Sequence, residues 1–402
     1  MNIKSKLNNI YIGPKALFDP EYVPPSLLYR KSEEQSLISI LNDSISDNFY
    51  LTILYQGIQG IGKKVIVNKV LDDLTTKIKE QNNFYKIVID CNDKSVEELL
   101  VSFIIELSKY SNQDCDLNSL LRSNLSSLWN ILKLMRKKIN QNIILTLNNT
   151  ETLQSVIYNK IIHFCKEFKI TLISTMNNVI YPKTLDIISE FDLKKKLNFF
   201  TFNELFDILN QRVKLAFYQE IDDELIQFIT DLIFEHYVPV PGKGIDILRN
   251  LYPVLKNQKS LNNYELHDIS IFQFDTMPLI DEFTMLNYLV EEDILTIIFL
   301  DNFSNFFKHK MNFYITFKEL RELFDISCES LDYTKHIDEF HEIVKKMINI
   351  GILKISKKNY FMHNLNLFSN IKSDDLFFIL LNPRDLTTLI DTIFNEQDLF
   401  LN

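Results

Sequence analysis

The run GIQGIGKK at positions 57–64 has the residue types and the spacing of a phosphate-binding loop. Glycines let the backbone curl until several N–H groups point at one anion, and a helix that begins there adds its positive end. Lys63 would reach the outer phosphates of a nucleotide. A plain glycine turn is the alternative interpretation. The predicted contacts are Gly57, Gly60, Ile61, Gly62, Lys63, Lys64 and Val65.

The residue after Lys63 decides whether this loop can hold a metal ion. In phosphate loops it is Ser or Thr, whose hydroxyl ligates Mg²⁺. Here it is Lys64, whose ammonium has no lone pair for a cation and repels one. We therefore predict no metal ligand at this position. As a further hypothesis, the charge of Lys64 replaces that of the metal.

Amides stand where a hydrolysing site needs carboxylates. In such ATPases the third strand ends in acidic residues that hold Mg²⁺ and polarise the attacking water. The run 143–147 is instead followed by Asn148 and Asn149, which are uncharged and cannot act as general bases. Glu151 lies two residues further on, where its carboxylate is expected to face the wrong way. The sequence therefore predicts no catalytic residue and no ATP hydrolysis.

Asn177 follows the next apolar run and is a further candidate contact for a nucleotide. A polar side chain at that strand end can orient a terminal phosphate. An asparagine that only satisfies a turn is the equally simple alternative.

The composition is that of an ordinary globular protein with two or three cores: 402 residues, 46% hydrophobic and 24% charged. The net charge of −10 disfavours a chain coated in nucleic acid or lying on an anionic membrane, but allows a local basic patch. We expect no signal peptide, no membrane span and no zinc site. The four scattered cysteines, expected to be reduced, are Cys91, Cys115, Cys165 and Cys328.

Strands alternate with helices in the first half of the chain, which predicts a parallel sheet covered on both faces. The predicted strands are 50–55, 85–90, 142–147 and 171–175. The predicted helices are 63–79, 96–108, 120–139 and 152–168. From residue 201 onward the pattern is helical, at 203–217, 222–236 and 244–255, and a polar linker follows at 256–264. Beyond it we predict helices at 286–307, 317–324 and 336–350 and a β-hairpin at 352–361.

The order of these motifs resembles the archaeal replication initiators related to the eukaryotic origin recognition complex and its cell-division-cycle loader. The resemblance covers nearly the whole chain. It is carried by FDPEYVPPSLLYRKSEEQ (Phe18–Gln35), IDCN (Ile89–Asn92), ISTMNN (Ile173–Asn178) and FFTFNELFDILNQRVKLAF (Phe199–Phe217). It implies an α/β P-loop AAA+ module at 1–198, an all-helical lid at 199–265 and a winged-helix domain at 266–402. It also implies ATP or ADP as ligand, with Tyr22 and Arg30 added to the contacts.

Two arginines of the family's ATP cycle are replaced in this sequence. The trans-acting arginine finger corresponds to the run DLKKK at 192–196. The sensor-2 arginine of the lid corresponds to PGKGI at 241–245, where only Lys243 is basic. Lysine cannot present a planar fork to phosphate. The resemblance is therefore to a divergent member, which either binds nucleotide without turnover or binds none.

The resemblance also implies double-stranded DNA as partner, with other origin-recognition subunits or the replicative helicase, in the archaeal cytoplasm or the eukaryotic nucleus. In a winged helix, one helix enters the major groove and a hairpin touches the backbone. The alternatives are a solvated lysine face and a non-catalytic interaction or regulatory subunit that no longer binds DNA. The predicted DNA contacts are Lys335, Lys345, Lys346, Lys354, Lys357 and Lys358.

Overall fold

The computed structural model describes residues 11–77, 84–111, 116–177, 187–257, 263–276, 281–291, 293–309, 313–355, 368 and 371–401. The chain forms two compact units. The first comprises Met1–Asn198, Asn203–Ile226 and Pro241–Ser260, and the second Phe199–Phe202, Gln227–Val240 and Leu261–Asn402. The three domains expected from the resemblance, and the two boundaries between them, remain predictions.

The first unit is built on a parallel five-stranded sheet in the order β2-β3-β4-β1-β5. The strands are β1 (Thr52–Gln56), β2 (Phe84–Asp90), β3 (Asn142–Asn148), β4 (Thr171–Met176) and β5 (Leu193–Lys196). Because β1 lies between β4 and β5, the loop that leaves it emerges at the carboxyl edge of the sheet with a strand on either side. The four predicted strands are confirmed to within about two residues. The short, lysine-rich edge strand β5 was not predicted.

The helices before residue 199 whose bounds lie within the described residues are α1 (Lys15–Phe18), α2 (Lys31–Asp47), α3 (Lys63–Lys77), α4 (Val96–Ser111), α5 (Leu117–Leu121), α6 (Leu125–Lys138) and α7 (Ser155–Glu167). Three more follow: α8 (Phe202–Ala216), α9 (Asp223–His236) and α10 (Pro241–Asn257). The single helix predicted at 120–139 is wrong. Its interruption has a local cause, since the Asn124 side chain caps α6 by accepting the Ser127 N–H over 2.8 Å.

The core of the first unit lies on both faces of the sheet. Every residue of β1 and β4 is buried, as expected where helices cover a parallel sheet on both sides. Leu145 and Leu172 are fully buried in a cluster that includes Trp129 and Phe164, whose rings lie 5.5 Å apart. Burial of this apolar surface fixes the strand ends that carry the candidate site.

The second unit contains a three-stranded antiparallel sheet in the order β6-β8-β7. Its strands are β6 (Tyr314–Thr316), β7 (Leu353–Ile355) and β8 (Leu376–Ile379). Its helices are α11 (Asn263–Asp275), α12 (Glu282–Val290), α13 (Ile294–His309), α14 (Phe317–Ser330), α15 (Ile337–Asn349) and α16 (Pro383–Leu401). The order β6-α14-α15-β7-β8 is the one expected of a winged helix.

One prediction for the second unit is wrong, and another is described only in part. The single helix predicted at 286–307 is two helices, because Asp293 caps α13 by accepting the backbone N–H groups of Leu295 (3.0 Å) and Thr296 (3.3 Å). The predicted hairpin at 352–361 contributes β7, whose antiparallel partner is β8. The rest of it, 356–361, lies outside the described residues.

Within the described ranges, no helix is both long and apolar enough for a bilayer crossing. Cys91, Cys165 and Cys328 are buried free thiols, while Cys115 lies outside the described part of the chain.

Candidate nucleotide site

The loop between β1 and α3 has the backbone shape that its glycines predict. Gly57, Gly60 and Gly62 have φ values of +153°, +85° and +106°, which L side chains rarely adopt. A Cβ on Gly62 would meet no atom within 4 Å, so glycine is needed there for its conformation and not for space. The backbone N–H groups at the start of α3 have no acceptor within the helix. This cradle of N–H groups fits a phosphate.

Lys63 ties the loop to the end of the neighbouring strand. Its Nζ donates to the carbonyl oxygens of Gly57 (2.6 Å) and Ile58 (2.9 Å) and to Oδ1 of Asn177 (2.7 Å). All three N–H groups of the ammonium are therefore used, and only 6% of the residue is exposed. A phosphate bound by Lys63 must displace at least one of these acceptors.

The buried position of Lys63 changes its acidity. Burial lowers the pKa of Lys63 to about 7; the nearby Lys64 acts in the same direction, and Glu151 opposes both. The charge of Lys63 therefore depends on pH near neutrality, unlike that of an exposed lysine.

Glu151 lies in the site, contrary to the expectation that it faces the wrong way. Asn149 adopts a left-handed conformation (φ +58°), and the turn of 3-10 helix Thr150–Thr152 brings the chain back toward β4. The Glu151 carboxylate accepts the backbone N–H of Asn177 over 3.0 Å and its side-chain N–H over 2.5 Å. Asn177 thus connects Glu151 to Lys63. Residue types alone could not predict this connection, because it depends on one left-handed turn.

Lys64 forms an ion pair with Asp90, the last residue of β2. Its Nζ lies 2.7 Å from Oδ2 of Asp90. The other oxygen of Asp90 accepts the Asn149 side chain (2.8 Å) and the Asn92 backbone N–H (3.0 Å). Burial alone would raise the pKa of Asp90. These hydrogen bonds and the charge of Lys64 outweigh burial, so the pKa of Asp90 is lowered. The carboxylate is therefore ionised at neutral pH and holds the ammonium beside the loop.

The residues here do not fit Mg²⁺. Asn148 accepts a hydrogen bond from the Thr175 hydroxyl over 3.0 Å, and Asn149 donates to Asp90. The carboxylate of Asp90 is occupied by Lys64, and that of Glu151 is occupied by Asn177. Throughout the described ranges there is no group of three or more His, Cys, Asp and Glu side chains placed to hold a metal ion.

Helix α10 begins directly on the loop. The backbone N–H of Gly242 donates to the carbonyl oxygen of Gly60 over 3.2 Å. The next residue, Lys243, is buried, and burial lowers its pKa. The stretch expected to correspond to a sensor-2 arginine therefore contacts the phosphate loop through the backbone of Gly242.

Tyr22 and Arg30, expected as nucleotide contacts, have clear packing roles in the structure. The Tyr22 ring is buried, with the Arg212 guanidinium 4.9 Å above it. Arg30 is also buried, and it donates to the carbonyl oxygen of Asn198 over 2.6 Å and to Glu33 over 3.1 Å. A nucleotide contact by either residue remains a proposal.

The lysines predicted to contact DNA differ in their exposure and in their ion pairs. Lys335 is held by Glu329 (2.8 Å) and Asp325 (3.9 Å), whereas Lys345 and Lys346 are exposed near the end of α15. Helix α15 carries three carboxylates against these two ammonium groups. Lys354 is exposed on β7. Lys357 and Lys358 lie outside the described residues.

Sequence reasoning missed Asp90 as a site residue. A signal was present, because Asp90 ends an apolar strand run and the carboxyl ends of parallel strands meet at one edge. Its partner depends on the order of the strands, which local sequence patterns do not determine.

A central strand followed by a glycine loop and a helix, in a parallel sheet of this order, defines a P-loop AAA+ fold. Solved ORC and CDC6P proteins have the same fold over nearly the whole chain. The ORC2 protein of Aeropyrum pernix, in ADPNP–ADP complexes, matches with a TM-score of 0.56 and 14% identity over 96% of this chain and 99% of its own.

Two further structures agree. CDC6P from Pyrobaculum aerophilum matches with a TM-score of 0.52 and 19% identity, covering 95% of this chain and 98% of its own. The Aeropyrum pernix ORC1 protein in complex with DNA matches with a TM-score of 0.55 and 13% identity, covering 97% and 99%. No protein-family model and no curated protein sequence matches the chain. The likeness confirms the fold expected from the sequence.

Proposed function

We propose that this chain is an initiator-like protein that binds double-stranded DNA and whose AAA+ module holds ATP or ADP without hydrolysing it. The ion pair between Lys64 and Asp90 carries this proposal. It lies where a hydrolysing site would hold its metal ion, and the adjacent residues are the amides of Asn148 and Asn149.

The remaining carboxylate does not replace the missing base. Glu151 accepts two hydrogen bonds from Asn177, and hydrogen bonds to the ionised form of a carboxylate weaken it as a base. Since these residues offer neither a ligand set for Mg²⁺ nor a free base, neither the attacking water nor the leaving phosphate is stabilised. The glycine cradle and the start of α3 support phosphate binding without turnover.

The DNA part of the proposal is supported by fold and by charge distribution. The similar Aeropyrum pernix ORC1 structure is a complex with DNA. In this chain Lys345, Lys346 and Lys354 are exposed in the unit that has the element order of a winged helix. On the resemblance of the sequence motifs we also propose other origin-recognition subunits or the replicative helicase as partners, in the archaeal cytoplasm or the eukaryotic nucleus.

Nucleotide extraction and phosphate release test the proposal together. The purified chain is denatured and its supernatant assayed for ADP and ATP, and a second sample is incubated with labelled ATP for hours. The expected result is bound nucleotide and no phosphate release above that of the Lys63→Ala variant. Steady release that disappears in Lys63→Ala would contradict the loss of hydrolysis.

One observation favours a second function, that of a non-catalytic subunit that binds proteins and not DNA. The surface of α15 carries Asp338, Glu339 and Glu342, and these carboxylates repel phosphates. Lys335 has two carboxylates beside it, Glu329 and Asp325, so its surroundings are negative on balance. Duplex binding that is absent at physiological salt, in a correctly folded preparation, would support this second function.

A further inference from the structure

We propose that the ammonium of Lys64, held by Asp90, takes the place of the divalent cation, so that the loop binds the phosphates of ADP or ATP without Mg²⁺. This inference rests on the proposed binding of nucleotide. It adds that the positive charge facing the phosphates is the Lys64 ammonium and not a metal ion.

The first support is the position of Lys64. It is the second residue of α3, so it follows Lys63 at the place where a metal-binding loop has its hydroxyl ligand. The ion pair with Asp90 at 2.7 Å brings its ammonium to the carboxyl ends of β2 and β3. A metal ion that bridges a loop hydroxyl to the end of the third strand would lie in the same region.

The second support is that Asp90 positions the Lys64 ammonium while leaving some of its N–H donors available. Asp90 also accepts hydrogen bonds from the Asn149 side chain and the Asn92 backbone, which orient its carboxylate toward Lys64. The Lys64 side chain is 30% exposed. Among the described residues Asp90 is its hydrogen-bond partner, which leaves two N–H groups of the ammonium for phosphate oxygens.

The third support is that neither Lys63 nor a divalent cation is placed to bind the phosphates in this arrangement. All three N–H groups of Lys63 bond to protein oxygens. A divalent cation brought next to Lys64 would meet a positive charge, and both nearby carboxylates are already engaged. An ammonium that donates hydrogen bonds to phosphate is a strong, charge-assisted contact and needs no metal.

The test measures binding of fluorescently labelled ADP to the full chain, in EDTA and in excess Mg²⁺. The wild-type affinity is expected to be the same in both, within about twofold. In EDTA, Lys64→Thr should weaken binding by about tenfold to hundredfold, because a charge-assisted hydrogen bond is removed. Lys64→Arg, which keeps the charge, should retain most of the affinity.

A matched control lies on the same helix. Lys69 pairs with Asp73 over 3.0 Å, about one and a half turns further along α3 and away from the loop. Lys69→Thr removes an equivalent lysine–carboxylate pair and should leave the affinity in EDTA unchanged. Thermal unfolding of each variant identifies any that fails to fold.

The outcomes separate the two proposals. Wild-type binding that requires Mg²⁺ overturns the role of Lys64 while nucleotide binding stands. Wild-type affinity in EDTA retained by a folded Lys64→Thr also overturns it. Absence of binding in both buffers overturns both proposals. As a positive result, the double variant Lys64→Thr with Asn148→Asp should bind more tightly in Mg²⁺ than in EDTA, because it restores a hydroxyl and a carboxylate.

Discussion

The backbone of Gly242 rests on that of Gly60, with an N–H···O hydrogen bond of 3.2 Å between them. A Cβ added to Gly242 would lie 2.6 Å from Cα of Gly60, closer than real Cβ atoms come to backbone. This contact joins the start of α10 to the phosphate loop across a long stretch of sequence. No side chain can be inserted between the two glycines without moving the backbone.

Gly242→Ala should therefore destabilise the protein by about 1–3 kcal/mol, because the new methyl group forces the helix and the loop apart. Urea denaturation measures the free energy of unfolding. The control is Asn250→Ala, at an exposed position of the same helix, where the change should stay below about 0.7 kcal/mol. Equal stability of Gly242→Ala and wild type would show that the contact does not form.

The unusual acidity of Lys63 makes stability depend on pH. Burial lowers its pKa to about 7 in the folded chain, against about 10.4 in the unfolded chain. Between these values the unfolded state binds one proton more at this site, so the free energy of unfolding rises with pH, by at most about 1.4 kcal/mol per unit. Below about 7 both states are protonated and this contribution no longer changes.

Lys63→Met isolates this contribution, because methionine does not titrate. The unfolding free energy of the wild type, minus that of Lys63→Met, should increase as pH rises from about 7 to about 9. Denaturation curves at several pH values give this difference directly. A constant difference over that range would mean that Lys63 titrates like an exposed lysine.

Asn177 holds Lys63 and Glu151 at the same time. Asn177→Ala removes the acceptor 2.7 Å from the buried ammonium and a donor to the carboxylate. We expect a loss of about 1–3 kcal/mol in unfolding free energy, the cost of leaving a buried polar group unpaired. Asn118→Ala, at an exposed position of α5, is the control and should change stability little. An unchanged unfolding free energy in Asn177→Ala would favour the alternative interpretation, in which Asn177 only satisfies a turn.

The lysines of the second unit should contribute unequally to DNA binding. Lys345→Ala with Lys346→Ala should weaken duplex binding and lower the salt slope by about two, one for each phosphate that is no longer neutralised. Lys335→Ala should do much less, because two carboxylates, Glu329 and Asp325, lie beside that ammonium and outweigh its charge. Titrations at several salt concentrations measure both quantities. A larger effect of Lys335→Ala than of the double variant would contradict this order.

Local patterns were enough for the elements near the site. The apolar run before Gly57 and the helical spacing after Gly62 predicted β1 and α3, since both depend on neighbouring residues. The break in the helix at Asn124 was not predicted, because the helical spacing of apolar residues continues across Asn124. The Asn124 side chain nevertheless caps a new helix there. The edge strand β5 escaped for a different reason: it is short and polar, and only its pairing with β1 makes it a strand.

The identity of the residues was by itself enough to indicate a phosphate cradle and to show that the usual metal ligands and general base are replaced. An amine at position 64 and amides at positions 148 and 149 have those properties in any conformation. Only the tertiary structure decided that Lys64 meets Asp90, that Glu151 turns back to Asn177 and that Gly242 rests on Gly60. These pairs are distant in sequence, and the order of strands and the packing of the core bring them together.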